Sequence, residues 1–209
     1  MTLPDPDTTA GRFLDLLRRQ AHPVEPGEAA LGRLLAATRV INVAKGDTVL
    51  RAGDVAEYLF HIDKGLLRYF YLDEATGDER TGQFFDEGGT VTDAASFLTG
   101  APATQTIEAI EESVLLIVPR IALLRAYDED HATERFGRKM IEAGFVGLQR
   151  RAANLLNMSP DDRYRYYVQT RPEIVRRVPQ YLLASFLGIT PESLSRIRGR
   201  MARPDKSKL

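Results

Sequence analysis

The sequence contains no cysteine and no long apolar run. Without cysteine, disulfides, thiolate zinc sites, cysteine-ligated iron–sulfur clusters and cysteine nucleophiles are excluded. No apolar run approaches the roughly 20 residues that a membrane span requires, and the first residues lack the basic segment and apolar stretch of a secretory signal. We therefore expect a cytoplasmic protein that makes no contact with a membrane.

Histidine is scarce as well, since His22, His61 and His131 are the only three and lie far apart. A cupin-type metalloenzyme needs clustered histidines with a carboxylate. A nucleophile elbow and a phosphate-binding glycine loop are also missing from the sequence. The sequence therefore predicts no metal site, no cofactor and no catalytic residue, and a cupin-type enzyme is the weakest function considered.

Charge is divided unevenly along a chain whose 28 Lys and Arg nearly balance its 29 Asp and Glu. Residues 158–209 carry 11 basic and 5 acidic side chains, a net charge of +6, whereas residues 1–157 carry a net charge of −7. A basic C-terminal quarter on an acidic body is typical of a nucleic-acid-binding module attached to another domain.

The pattern of apolar residues changes twice along the 209 residues, which suffice for two modest domains. Helical patterns at 9–20 and 26–38 come first. From 39 to 118, short apolar runs alternate with glycine-containing turns, which predicts an antiparallel barrel or sandwich. The three clearest strands are rich in β-branched and aromatic residues: Tyr58–Ile62, Leu66–Tyr71 and Val114–Val118.

A long helix is predicted over 131–157, which contains no proline. Apolar or small residues repeat along it at four-three spacing in two neighbouring stripes: Phe136, Met140, Ala143 and Gly147; and Ile141, Phe145, Leu148, Ala152 and Leu155. Two stripes indicate a coiled-coil-like seam with a partner, while a single broad buried face remains an alternative. A further helix begins at the Ser159 cap, and Pro172 is predicted to end it.

The segment Val178–Arg200 predicts two short helices joined by a tight turn. Tyr181, Leu182, Ala184, Phe186 and Leu187 supply an apolar stripe to the first helix. Gly188 can adopt positive φ at the turn, Thr190 is a good N-cap, and Pro191 suits the first helical position. With Leu194 and Ile197 facing inward, this is the pattern of a helix-turn-helix, whose second helix enters the DNA major groove.

Together, the glycine-punctuated β region, the long helix and the segment Ala184–Arg196 resemble the Crp/Fnr superfamily of bacterial transcription regulators. The resemblance implies an α+β protein: an antiparallel β-roll sensor of the cyclic-nucleotide-binding type (1–126), a long dimerisation helix (127–157) and a helix-turn-helix domain (158–209). It also implies a homodimer on an inverted repeat of double-stranded DNA, and it leaves RNA polymerase open as a further partner.

By this resemblance, Glu192 and Arg196 read base edges. A carboxylate accepts a hydrogen bond from cytosine N4, and a guanidinium binds guanine O6 and N7. Pro191 stands where the cyclic-AMP receptor has an arginine, so one base contact is expected to be missing. Contacts to the DNA backbone are expected from five residues: Thr190, Ser193, Ser195, Arg198 and Arg200. The alternative for Glu192 and Arg196 is a solvated ion pair within the helix.

The sensor departs from its family at the effector pocket. Family members that bind cyclic nucleotides carry a glycine–glutamate pair and an arginine-containing pair; here Thr92-Asp93 and Ala103-Thr104 stand in their place. Without the arginine, a buried phosphate has no balancing charge, so we expect no tight binding of cyclic AMP or cyclic GMP. The candidate effector-pocket residues are Thr92, Asp93, Thr104 and Gln105. Haem would need an axial ligand, for which His61 is a weak candidate.

Two further expectations concern the C-terminal end. The family's β-hairpin wing is expected to be missing after Arg200, with Arg203, Lys206 and Lys208 acting as a basic tail. The competing function is a ligand-binding or interaction module with a vestigial helix-turn-helix. The intact Glu192 and Arg196 face argues against that alternative.

Overall fold

A computed structural model describes residues 4–202, and Arg203, Lys206 and Lys208 of the expected basic tail lie outside them. Within 4–202 the chain forms nine helices: α1 Thr9–Ala21, α2 Glu28–Ala37, α3 Ala94–Thr99, α4 Arg120–Glu129, α5 His131–Asn157, α6 Pro160–Thr170, α7 Pro172–Arg177, α8 Gln180–Leu187 and α9 Pro191–Ala202. The strands are β1 Arg39–Val43, β2 Thr48–Leu50, β3 Tyr58–Lys64, β4 Leu67–Leu72, β5 Glu79–Phe85, β6 Thr90–Val91, β7 Thr106–Ala109 and β8 Ser113–Pro119.

The strands form two antiparallel four-stranded sheets, which confirms the predicted α+β fold with an N-terminal β-roll. One sheet has the order β1-β8-β3-β6 and the other β2-β7-β4-β5. Apolar side chains of both sheets meet in one core, among them Ile62 and Leu115 from the first sheet and Leu67 and Ile107 from the second. Helix α1 joins this core through Phe13, whose ring lies edge-on to Phe136 of α5 at 5.9 Å. The start of the long helix is thereby anchored to the sensor.

Glycine is required at Gly65, in the turn between β3 and β4. Its φ is +107°, a value that residues with a side chain rarely adopt. A Cβ at this position would also lie 2.1 Å from the Ser113 hydroxyl oxygen. Both the backbone conformation and the close approach of β8 therefore exclude a larger residue.

The long helix α5 covers His131–Asn157, the range that the sequence pattern predicts, and begins four residues after the domain boundary at 127 that the family resemblance implies. Asp130 has extended backbone geometry, which separates α4 from α5. The Asp130 carboxylate accepts the Thr133 amide hydrogen at 2.8 Å and so caps the new helix. Residues 127–129 belong instead to α4. No helix within 4–202 is long and apolar enough to cross a membrane.

Helices α6 to α9 share a second core, which also takes in Leu66, Phe84 and Ile110 from the β-roll. The predicted inward residues Leu194 and Ile197 are buried there. One sequence prediction in this region is wrong, because Tyr181 is 62% exposed and Leu183 is buried in its stead. Helix α6 ends at Thr170, ahead of Pro172, as predicted. After a single linking residue, Arg171, Pro172 begins the further helix α7, because proline fits the first turn of a helix.

Candidate nucleic-acid interface and effector chamber

The turn between α8 and α9 has the geometry that its sequence predicts. Gly188 adopts the left-handed conformation, with φ of +69°. The Ile189 amide donates to the Ala184 carbonyl oxygen at 3.0 Å, which closes the end of α8. Ala184 is fully buried. This backbone geometry sets the turn between α8 and α9, and the buried side chains of Leu194 and Ile197 pack α9 against the same core as α8.

One exposed face of α9 carries both candidate base-reading residues, Glu192 and Arg196. The Ser193 hydroxyl oxygen accepts a hydrogen bond from the Arg196 guanidinium at 3.1 Å and another from the Thr190 hydroxyl at 3.2 Å. Among the ion pairs of residues 4–202, none joins Glu192 to Arg196. Hydrogen bonds from the backbone amide of Glu192 and from the Thr190 hydroxyl lower the pKa of the Glu192 carboxyl group. The carboxylate therefore stays ionised and can accept hydrogen bonds.

The candidate contacts to the DNA backbone do not all lie on that face. Ser195 is exposed. Arg198 lies on the other side of α9, where it lines a groove with Pro179 and Gln180. Arg200 is paired with Asp161 at 2.6 Å, so its charge is already partly neutralised within the domain.

The four effector-pocket candidates meet at one end of the β-roll, around helix α3. The Asp93 carboxylate accepts the Ser96 amide hydrogen and the Thr104 amide hydrogen, both at 3.0 Å. Gln105 donates to the Thr92 carbonyl oxygen at 3.4 Å. Tyr71 in turn donates to Gln105 at 3.2 Å. The polar groups of this chamber are thus bonded mainly to one another.

The buried carboxyl group of this region, Asp93, has no basic partner among the described residues, and the arginine that lies against α3, Arg120, donates to the carbonyl oxygens of Phe97 and Leu98. Asp93 is 4% exposed and Ala103, in the place of the family arginine, is 4% exposed. Within the described chain, no Lys or Arg makes an ion pair with Asp93. The nearby guanidinium of Arg68, on β4, is already bonded to Glu79 and Glu108. A second anion entering this space would meet a carboxylate instead of a positive charge.

His61 lies in the core, where it is 2% exposed and its ring lies 5.5 Å from that of Phe13. Burial lowers the pKa of His61 and keeps the imidazole neutral. Its position between β3 and α1 leaves no open side for a haem ring. Across residues 4–202, no cluster of three or more His, Asp or Glu side chains is placed to hold a metal ion.

The middle of α5 is exposed along its whole circumference. Every residue from 141 to 150 is exposed, although several are large and apolar. Phe145 is 66% exposed and Leu148 is 57% exposed, and both belong to the second stripe predicted from the sequence. In the first stripe, Phe136 is buried against the β-roll, whereas Ala143 and Gly147 are exposed.

Comparison with known proteins agrees with this architecture. Residues 40–130 match the cyclic nucleotide-binding domain family. A putative regulator of the crp/fnr family from Eubacterium rectale superposes with a TM-score of 0.70 at 17% identity, over 84% of this chain and 83% of that one. The chain has the Crp/Fnr fold. FixK2 from Bradyrhizobium japonicum gives 0.69 at 18% identity, over 78% and 84% of the two chains.

Two further matches bear on the sensor part of the chain. The c-di-GMP responsive global regulator CLP of Xanthomonas campestris has a TM-score of 0.66 at 17% identity, covering 84% of this chain and 91% of that one. A cAMP-dependent protein kinase regulatory subunit of Blastocladiella emersonii is 32% identical over 101 residues, which are 48% of this chain and 24% of that protein. The chain spans about a quarter of that curated relative.

In this Crp/Fnr-type fold, Arg177 ties the C-terminal helices to the β-roll. Its guanidinium donates to both oxygens of Glu87, at 2.7 and 2.8 Å, and to Glu111 at 2.6 Å. The Arg177 hydrogen bonds are the main reason that the pKa of Glu87 falls from 4.5 to about 2. No local sequence pattern marks Arg177, because its partners Glu111 and Glu87 lie 66 and 90 positions earlier in the chain.

The ion pairs of Arg177 predict a pH-dependent stability. A lowered pKa means that Glu87 stabilises the fold above pH 4.5 and loses this contribution as the pH falls through about 2. Since 42% of the Glu87 side chain is exposed, we expect Arg177→Met to cost only about 1 kcal/mol of unfolding free energy at pH 7. Urea unfolding should show this difference shrinking between pH 5 and pH 2.

The neighbouring Arg176 provides a control for that experiment. It pairs only with Glu173 on its own helix, and both side chains are about two-thirds exposed (68% and 66%). Arg176→Met should therefore leave the unfolding free energy nearly unchanged at every pH. Equal costs for the two substitutions would contradict a special role for Arg177.

Proposed function

We propose that this protein is a homodimeric transcription regulator of the cytoplasm that binds an inverted-repeat DNA site, with residues 191–200 in the major groove. The single observation that carries the proposal is the exposed face of α9, on which Glu192 and Arg196 lie side by side without forming an ion pair. Buried Leu194 and Ile197 hold the opposite side of the helix. The net charge of +6 on residues 158–209 supports an encounter with DNA.

The base-reading assignment of Glu192 and Arg196 follows from their hydrogen-bonding groups and from the hydrogen bond that holds Arg196 in place. Arg196 offers the planar donors that fit guanine O6 and N7, and Ser193 holds the guanidinium at 3.1 Å. Glu192, on the first turn of α9, offers an acceptor for cytosine N4. These two residues are proposed to specify bases. The five residues proposed to contact phosphates are Thr190, Ser193, Ser195, Arg198 and Arg200.

The exposed seam of α5 supports the proposed dimer. Ile141, Phe145 and Leu148 lie at four-three spacing, and all three are at least 47% exposed. A contiguous apolar surface of this kind marks an interaction site. A second copy of the same helix is the occupant that would place two recognition helices on symmetric half-sites.

The effector chamber is proposed to be closed to cyclic nucleotides. The Asp93 carboxylate accepts the amide hydrogens of Ser96 and Thr104, Ala103 stands in the place of the family arginine, and Arg120 is bonded to the carbonyl oxygens of α3. Isothermal titration with cyclic AMP and cyclic GMP should give dissociation constants of about 1 mM or weaker. Cyclic di-GMP, to which the Xanthomonas regulator responds, belongs in the same titration and is expected to bind no better. Micromolar binding of any of the three would contradict the proposal.

The direct test of the function is selection of genomic DNA fragments by the purified protein, repeated with and without cell extract. A regulator should enrich fragments that share one inverted repeat. A change in enrichment on adding extract would reveal an effector. Enrichment without any shared motif would contradict sequence-specific binding.

The second candidate is a ligand-binding or interaction module without an operator. The kinase regulatory subunit favours it, because that match covers only a part of the chain. Under this alternative, Glu192→Ala and Arg196→Ala would leave every DNA-binding property unchanged. The exposed, Ser193-supported arginine is the observation that weighs against it.

A further inference from the structure

Three parts of the molecule meet at β5, the last strand of its sheet. In the order β2-β7-β4-β5, the outer edge of β5 has no strand beside it. Ser185 of α8 satisfies that edge instead. Its hydroxyl accepts the Thr81 amide hydrogen and donates to the Glu79 carbonyl oxygen, both at 3.0 Å. The first helix of the helix-turn-helix is thus hydrogen-bonded to the sensor sheet.

Arg151 brings the long helix α5 to the same point. Its guanidinium donates to the Thr81 carbonyl oxygen at 3.2 Å and to the Phe186 carbonyl oxygen at 2.8 Å. It also stacks on the Phe186 ring, 4.0 Å from the ring centre. One side chain of α5 therefore contacts both β5 and α8.

The end of α8 is held by arginines rather than by carboxylates. Arg163 of α6 donates to the Leu187 carbonyl oxygen at 3.1 Å. The preceding carbonyl oxygen, that of Phe186, accepts the hydrogen bond from Arg151. Within residues 4–202, neither Arg151 nor Arg163 makes an ion pair. Their charges face the last carbonyl oxygens of α8, where the helix dipole favours a cation. Because Gly188 follows directly, fixing this end also fixes the start of the turn into α9.

From this geometry we propose that Ser185 and Arg151 are positioning residues that set the angle between the recognition helix α9 and the dimer helix α5. The proposal rests on the proposed function, since it concerns how a dimer matches its DNA site. The two side chains act through α8 and touch no base. They keep the recognition helices of the two protomers at a fixed separation.

A fixed separation has a measurable consequence for the spacing of the half-sites. One base pair inserted between half-sites rotates them by about 35° relative to each other, since B-DNA has about 10 base pairs per turn. A rigid dimer cannot follow this rotation, whereas a dimer with loosely held α9 helices can. The preference for one half-site spacing therefore reports how rigidly α9 is held. If Ser185 only stabilised the fold, replacing it would leave this preference unchanged.

The first measurement needs neither DNA nor a dimer. The chain has no cysteine, so Asp78→Cys and Met201→Cys introduce two unique sites for spin labels, one on the β4–β5 turn and one on α9. Labelled chains diluted with unlabelled chains should give one narrow distance distribution. Ser185→Ala and Arg151→Lys should each broaden it. Thr170→Ala, which removes a hydroxyl bonded only within α6 at 2.8 Å, should not.

The second measurement uses operators selected by the wild-type protein, with zero or one inserted base pair. Wild type should lose about 100-fold in affinity for the longer site, and Ser185→Ala about 10-fold or less. An unchanged distance distribution in Ser185→Ala would overturn the proposal, as would a broad distribution with unchanged spacing preference. If wild type selects no operator, the proposed function fails, and the distance measurement alone decides whether Ser185 and Arg151 position α9.

Discussion

Replacing Phe145 by Asp is expected to convert the dimer into a monomer and to weaken operator binding by about 100-fold or more. Phe145 is 66% exposed in the single chain and lies at the centre of the seam formed by Ile141, Phe145, Leu148 and Leu155. In the dimer it would be buried against the same helix of the second copy. A carboxylate buried there has no partner, and the cost of removing it from water opposes association.

The loss in DNA affinity follows from the loss of one protomer. A dimer contacts two half-sites at once, so the second contact is made at a high effective concentration. A monomer contacts only one half-site. Sedimentation equilibrium measures the dissociation into monomers, and fluorescence anisotropy with a labelled operator measures the loss of DNA affinity.

Arg150→Asp is the matched control, because Arg150 is exposed on the opposite side of α5. It introduces the same acidic residue into the same helix without entering the seam. We expect this variant to remain dimeric. If Phe145→Asp also remained dimeric, the assignment of α5 as the dimer helix would be wrong.

Replacing Arg196 by Ala is expected to cost about 1–3 kcal/mol of specific binding and to relax base preference at one position in each half-site. The physical reason is the loss of two parallel hydrogen bonds to one guanine. Binding to unrelated DNA should fall much less, because that binding depends on phosphate contacts. Affinities for a set of operators with single base changes test the relaxed base preference. The affinity for an unrelated DNA at the same salt concentration tests the smaller loss in non-specific binding.

Arg198→Ala gives the comparison for Arg196 within the same helix. Arg198 has the same charge but lines a groove on the other side of α9. Its removal should lower affinity for all sequences by a similar factor and leave base preference intact. An Arg196→Ala protein with unchanged sequence preference would show that another residue reads the base.

Much of the helix-turn-helix could be predicted from the sequence, because the signals are local. Gly188 marks the turn by its tolerance of positive φ, and Leu194 and Ile197 mark the buried side by their spacing. The exposed stripe through Phe145 was likewise visible as a four-three repeat. The clustering of Asp93 with Thr104 could be predicted only through the family resemblance.

Tyr181 shows where local signals failed. Its position on the apolar stripe of α8 predicts burial, yet it is 62% exposed while Leu183 is buried. The face of α8 that becomes buried depends on how the helix packs against β5 and α9. Neither neighbour is specified by the residues of α8 alone.

The sequence by itself determined the order of the main regions, the turn at Gly188, the charged face of α9 and the replacement of the family arginine in the effector-pocket motif. Each of these depends on residue type and short spacing. Only the tertiary structure decided that Arg177, Ser185 and Arg151 tie the C-terminal helices to the β-roll and to α5. Their partners are Glu87, Glu111, the backbone of β5 and the Phe186 carbonyl oxygen, from 35 to 106 residues away along the chain. A hydrogen bond depends on distance in space, and at such separations chain folding alone sets that distance.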